Sequence, residues 1–155
     1  MAKFVDPIGF AEWEATVPPS LRRGTIWRTP AYRYGLWLAD LAKADARRLF
    51  GIREVSGHAD QLVRAVGGIS SNLAEGYACA SGADRARYYG YALTSSHEAI
   101  DWYAKVREEL GVDIVEQRCG VLDRVIRILT VAIPRERRLS RRRPLDTLRP
   151  RDHPP

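Results

Sequence analysis

The stretch Asp60–Tyr77, DQLVRAVGGISSNLAEGY, decides how this chain folds. Leu62, Val66, Ile69, Leu73 and Tyr77 recur at intervals of three and four residues, the period of one helical face. Beside them Gln61, Ala65, Gly68, Asn72 and Glu75 make a second row, polar or small, at the same period. A helix over 58–78 follows. Gly67 and Gly68 inside it cost about 1 kcal/mol each relative to alanine, so a close approach of another backbone is expected to compensate. Gly76 helps to end it.

Working outward, the neighbouring segments have the same period. A helix over 81–110 opens with Ser81-Gly82-Ala83-Asp84, a serine cap with an acid three residues on, and stops at Gly111. Small residues, Ala92, Ser95, Ser96 and Ala99, occupy its middle, so it is expected to lie close against the 58–78 helix there. A third helix spans 113–133, with Val115, Cys119, Leu122, Ile126, Leu129 and Ile133 spaced as the seam of an antiparallel bundle. Pro134 is expected to end it. Upstream, Thr29-Pro30 starts a helix that runs to Phe50, just before Gly51. The domain organisation is thus an irregular N-terminal arm over 1–29, a four-helix bundle over 30–133 and a disordered arginine-rich tail over 134–155. No segment alternates with the period of a strand, and the fold class is an all-α, antiparallel up-and-down four-helix bundle.

Charge sharpens this division. The 155 residues hold 25 basic and 19 acidic side chains. Eight of the arginines fall beyond residue 133, against only Glu136, Asp146 and Asp152, so the bundle is nearly neutral and the basicity is terminal. Mutual repulsion among Arg135, Arg137, Arg138, Arg141, Arg142 and Arg143 is expected to keep the tail extended, and such a run recruits phosphate with little sequence selectivity. No apolar run approaches the roughly 18 residues of a membrane helix, and the start, MAKFVDPIGFAEWE, is unlike a signal peptide. The expectation is a cytoplasmic protein without a membrane partner.

Templates for catalysis fail. A phosphate-binding loop with its lysine is missing, and the Glu-x-x-His pairs of a di-metal bundle do not occur. His97-Glu98 is followed by Asp101 where a zinc helix needs its second histidine. Cys119 fits an apolar seam and Cys79 has no base beside it in sequence. No metal, cofactor or catalytic residue is expected. Glu75 and Glu98 would be the pair for an enzyme reading. An internal hydrogen-bond network of Gln61, Arg64, Asn72, Glu75, Ser95 and Glu98 that fixes helix register is preferred, because buried polar groups must be paired. A second apolar row on the last helix, with Ile114, Val121, Val125 and Ile128, exceeds what one seam needs and points to an interface with a partner chain.

The run from Asp60 to Tyr77 resembles the signature helix of the four-helix-bundle proteins encoded by intervening sequences of bacterial 23S rRNA genes. The matching positions are Asp60, Gln61, Arg64, Ala65, Ile69, Asn72, Ala74, Glu75 and Gly76. Downstream, Ala92, Ser95 and Glu98 in ALTSSHE are similar to that family's second motif. Ser70 stands where proline is common, Leu73 where isoleucine is, and Thr94 where glycine is usual. The resemblance covers residues 30–133. It implies a ring of bundles, commonly a homopentamer, and no enzymatic activity. It also implies a likeness to the accessory proteins of diversity-generating retroelements, basic pentamers that partner a reverse transcriptase and its RNA. The function expected is therefore that of a non-catalytic, homo-oligomeric nucleic-acid-binding protein, with RNA as the partner. The alternative is an adaptor for a protein such as a reverse transcriptase. Trp27 and Tyr32 are candidates for stacking on single strands, although packing explains them more simply.

Overall fold

The computed structural model describes residues 9–141. Two short helices open it, α1 (Phe10–Thr16) and α2 (Pro19–Arg22), followed by a 3-10 turn at Thr25–Arg28. Four long helices then form the bundle: α3 (Pro30–Leu49), α4 (Ser56–Ala78), α5 (Gly82–Lys105) and α7 (Val112–Arg141). The single turn α6 (Arg107–Leu110) joins the last two. Among the described residues there is no strand. Short links make successive long helices antiparallel, and each packs on two neighbours in the cyclic order α3, α4, α5, α7.

The core is filled where the periodicity places it on the second and third of these helices. Leu62, Val66, Ile69 and Leu73 on α4 are buried, as are Ala86, Ala92 and Ala99 on α5. Tyr77, the last member of the α4 row, is instead 40% exposed because the helix ends there. Small residues let α4 and α5 close together. A methyl on Gly68 would lie 2.8 Å from Ser95 Oγ, which accounts for that glycine; around Gly67 there is open space and the expected compensation is absent.

Several expectations need correction. Residues 9–28 are no irregular arm. Phe10 is buried against Tyr34 and Trp37, with ring centroids 4.8 and 5.4 Å away. Trp13 Nε1 donates to Asp40 Oδ2 at 3.0 Å, and Arg33 pairs with Glu14 at 2.8 Å, so the arm is fastened along α3. Trp27 stacks on Trp13 and Tyr32 packs against the core, which occupies the two rings proposed for base stacking.

The predicted helix over 81–110 breaks at Val106, whose backbone (φ −111°, ψ 18°) leaves the helix so that Val106 and Leu110 both turn inward. Gly111 then reverses the chain with φ +90°.

The inward face of α7 differs from the predicted seam. Arg118, Val121, Leu122, Val125, Leu129 and Ile133 are buried, whereas Val115, Cys119 and Ile126 sit at its edge. Val121 and Val125 are 1% and 0% exposed within a single chain, so they belong to this core and are not free to form an interface; Ile128 is half-buried against the same core. Finally, α7 runs through Pro134 to Arg141. The proposed disordered tail is therefore helical over 134–141, while Arg142, Arg143 and the rest of it lie outside the described residues.

Candidate nucleic-acid interface

Proline has no N–H for the carbonyl four residues back, and its ring crowds that turn. Continuation of α7 past Pro134 therefore requires support from elsewhere. Pro134 itself is exposed, which turns its ring to solvent, while Ile133 beside it is buried. One turn on, Glu136 Oε2 accepts from Arg85 Nη1 of α5 at 2.9 Å. The other arm of that guanidinium, Nη2, donates to the Cys79 carbonyl at 2.9 Å, so Arg85 is held from two sides. At the start of α5 the backbones almost touch: a methyl on Gly82 would lie 2.6 Å from the Glu136 carbonyl oxygen and 3.4 Å from Ser140 Cβ. The Ser81 hydroxyl accepts from Asp84 N at 3.0 Å, the expected cap, and fixes this end of α5.

This anchoring displays four arginines. Arg135, Arg137, Arg138 and Arg141 are all exposed, and none has an ion-pair partner among the described residues. Glu136, the one carboxylate among the described residues within 135–141, is engaged by Arg85. Seven residues of helix advance about 9 Å from first to last, so four positive charges crowd onto less than two turns. Elsewhere on α7 and α5 the basic groups are neutralised locally: Arg127 by Asp123 at 2.7 Å, Arg87 by Asp84 at 3.3 Å, and Lys105 by Asp101 at 2.5 Å. At the opposite end of the bundle Arg47, Arg48, Arg53 and Arg107 are interspersed with Glu54, Glu108, Glu109 and Asp113.

The motif residues are arranged differently from the predicted network. Asn72 is half-buried and its Nδ2 donates to the Gly68 carbonyl of its own helix at 2.7 Å. Ser95 fills the space over Gly68. Gln61, Arg64, Glu75 and Glu98 are exposed, and Glu98 accepts only a long bond from Trp102 Nε1 at 3.4 Å. No hydrogen bond joins Asn72, Glu75, Ser95 and Glu98 to one another among the described residues. The predicted register-fixing role therefore has no basis at Glu75 and Glu98, whose side chains are exposed and reach no other helix among the described residues.

The polar network of this protein lies elsewhere, and pattern reading missed it. Asp45 of α3 is 2% exposed and receives Arg118 of α7 in a two-pronged pair, Nε at 2.9 Å and Nη2 at 3.1 Å. Tyr103 of α5 donates its hydroxyl to the same carboxylate at 3.0 Å, and Arg118 Nη1 donates to Gln117 Oε1. Burial raises the Tyr103 phenol well above its ordinary pKa, and the Asp45 charge beside it raises it further. Burial likewise raises the Cys119 thiol, which keeps it protonated and unreactive. Among the described residues no group of three or more His, Cys, Asp or Glu side chains is placed to hold a metal ion, and no helix is long and apolar enough to cross a membrane.

Comparison with solved structures finds the same bundle in a protein of unknown function from the S23 ribosomal protein family of Bacteroides thetaiotaomicron. The TM-score is 0.63 at 18% identity, over 66% of this chain and 97% of the other, which establishes a shared fold. No curated protein matches. Residues 42–129 match the family of 23S rRNA-intervening sequence proteins, a span that contains both motifs, the Asp45–Arg118–Tyr103 network and most of the bundle. The arm and the arginine-bearing end of α7 lie outside it. On that match, which covers more than half of its length, the chain belongs to the 23S rRNA-intervening sequence protein family.

Proposed function

We propose that this protein is a non-catalytic RNA-binding bundle that contacts the phosphate backbone through the end of α7. The observation that carries the reading is the set of exposed arginines 135, 137, 138 and 141, without carboxylate partners among the described residues. A guanidinium fork suits a phosphate in two-point contact, and four of them in under two turns suit a polyanion better than a single small anion. The arrangement offers charge and no base-reading geometry, so it predicts affinity without sequence preference. The family name adds an association with ribosomal RNA genes, which makes RNA the polyanion of choice. Arg142 and Arg143 continue the basic run in sequence. Self-association belongs to the same proposal, because each added copy multiplies the +6 charge per chain and with it the attraction for phosphate.

Replacing Arg135, Arg137, Arg138 and Arg141 together by glutamine preserves helix propensity and removes four charges. Fluorescence polarisation with a labelled single-stranded RNA, measured from low to moderate salt, is then expected to show weaker binding at every sequence tried. The plot of log affinity against log salt should flatten by about 0.7 for each phosphate contact removed. Equal affinity and equal slope in parent and variant would move the binding surface off this helix.

A further inference from the structure

We propose that the Arg85–Glu136 ion pair is a clamp that holds α7 in helical form beyond Pro134 and thereby positions the arginines for RNA, so that Glu136, although acidic, favours binding of an anionic partner. The proposal rests on the RNA-binding reading for its functional half and on the geometry of α5 and α7 for its structural half. Four observations converge. Pro134 removes a backbone hydrogen bond at the point where the segment departs. Beyond it, the side chains of the segment are mostly exposed, and Glu136 is the one in ion-pair contact with another helix among the described residues. That contact is partly desolvated, with side-chain exposures of 29% for Arg85 and 15% for Glu136, and Arg85 is itself fixed by the Cys79 carbonyl. The absent side chain of Gly82 lets the Glu136 backbone approach closely enough for the pair to form.

The sign of the effect separates this proposal from simple charge counting. Removing a carboxylate from a row of arginines raises the local positive charge, which by itself strengthens attraction to phosphate. Loss of the clamp acts oppositely. A released segment keeps its arginines but must be ordered again on binding, and that ordering lowers affinity. The cost of ordering a seven-residue segment outweighs the gain of one exposed charge at physiological salt.

The test uses the full chain in four forms: parent, Glu136→Ala, Gly82→Ala and the exchanged pair Arg85→Glu with Glu136→Arg. Limited trypsin digestion, with fragments identified by mass, reads the structural half without RNA. In the parent, cleavage after Arg135, Arg137 and Arg138 is expected to be slow, because a helix does not fit a protease cleft until it opens. Glu136→Ala and Gly82→Ala should accelerate those cuts while circular dichroism shows the bundle melting as before, and the exchanged pair should restore protection at least in part. Polarisation with a single-stranded RNA reads the functional half: Glu136→Ala should bind about fivefold to tenfold more weakly, against its charge, and the exchanged pair should recover much of that loss. Tighter binding by Glu136→Ala, or unchanged protection in both single variants, overturns the clamp. A parent that binds no RNA while the cleavage pattern changes as expected overturns the RNA-binding reading and leaves the structural half standing.

Discussion

At the scale of single residues, the feature that specifies this bundle is a charge in its core. Asp45 and Arg118 exclude water from each other, and a buried pair costs several kcal/mol of desolvation that only good geometry and further hydrogen bonds offset. Both are present: the guanidinium is two-pronged, and Tyr103 supplies another donor to the carboxylate. Three helices, α3, α5 and α7, are thereby keyed to one register. Tyr103→Phe removes one bond to a charged acceptor and is expected to cost about 2 kcal/mol at neutral pH. The pH dependence follows from the raised phenol. Above its ordinary value of 10.0, the unfolded chain releases that proton while the folded chain retains it. Rising pH then favours unfolding, so the stabilisation, complete below pH 10, fades as the solution becomes more alkaline. Chemical denaturation from pH 8 to pH 11 should show a shallower alkaline loss in Tyr103→Phe than in the parent. Tyr89, also raised by burial, retains part of that limb. Identical alkaline limbs in the two proteins would assign the loss to other groups.

At the scale of elements, what was legible in the sequence follows the reach of periodicity. The expected helices over 30–50 and 58–78 lie within two residues of α3 and α4, because Leu62, Val66, Ile69 and Leu73 leave one choice of buried face. The buried face of α7 lies about one position away from the expected seam. An apolar count skips Arg118, and once that arginine is drawn inward by Asp45, 73 positions away in sequence, Val121 and Val125 rotate into the core with it. Nothing local announces such a pair. The continuation through Pro134 was hidden for the same reason, since Arg85 and Gly82 act from another helix. The glycines give a test at this scale. Gly67 lies mid-helix with nothing within 4 Å of a would-be methyl, so Gly67→Ala should stabilise by up to about 1 kcal/mol through helix propensity alone. Gly76 is closed by the Tyr89 ring at 2.9 Å and Tyr88 Cβ at 3.0 Å, where α4 hands over to α5. Gly76→Ala must push that ring aside and should lower the melting temperature. A stabilising Gly76→Ala, or a destabilising Gly67→Ala, would mean that the two helices approach differently.

At the scale of the whole molecule, burial decides which surfaces remain for other molecules. The large apolar groups left outside among the described residues are spread over several elements: Val112, Val131 and Leu139 on α7, Tyr91 on α5, Tyr77 on α4, Phe50 after α3 and Leu21 on α2. Val121 and Val125, by contrast, hold the bundle itself. Their replacement by glutamate therefore distinguishes a core from an interface. At an interface, charges at 121 and 125 would split an assembly into folded subunits, with the helical signal intact and the mass reduced. In a core they place two carboxylates in an apolar interior whose one buried guanidinium, Arg118, is already paired with Asp45, a penalty of several kcal/mol each that, combined with the lost packing, exceeds the margin of about 5–15 kcal/mol of a small domain. The expected result is loss of cooperative melting and of most helical circular dichroism at 25 °C. Light scattering and circular dichroism on the same sample separate the outcomes. A Val121→Glu, Val125→Glu protein that remained helical, melted cooperatively and differed from the parent only in mass would return these two side chains to a surface between chains.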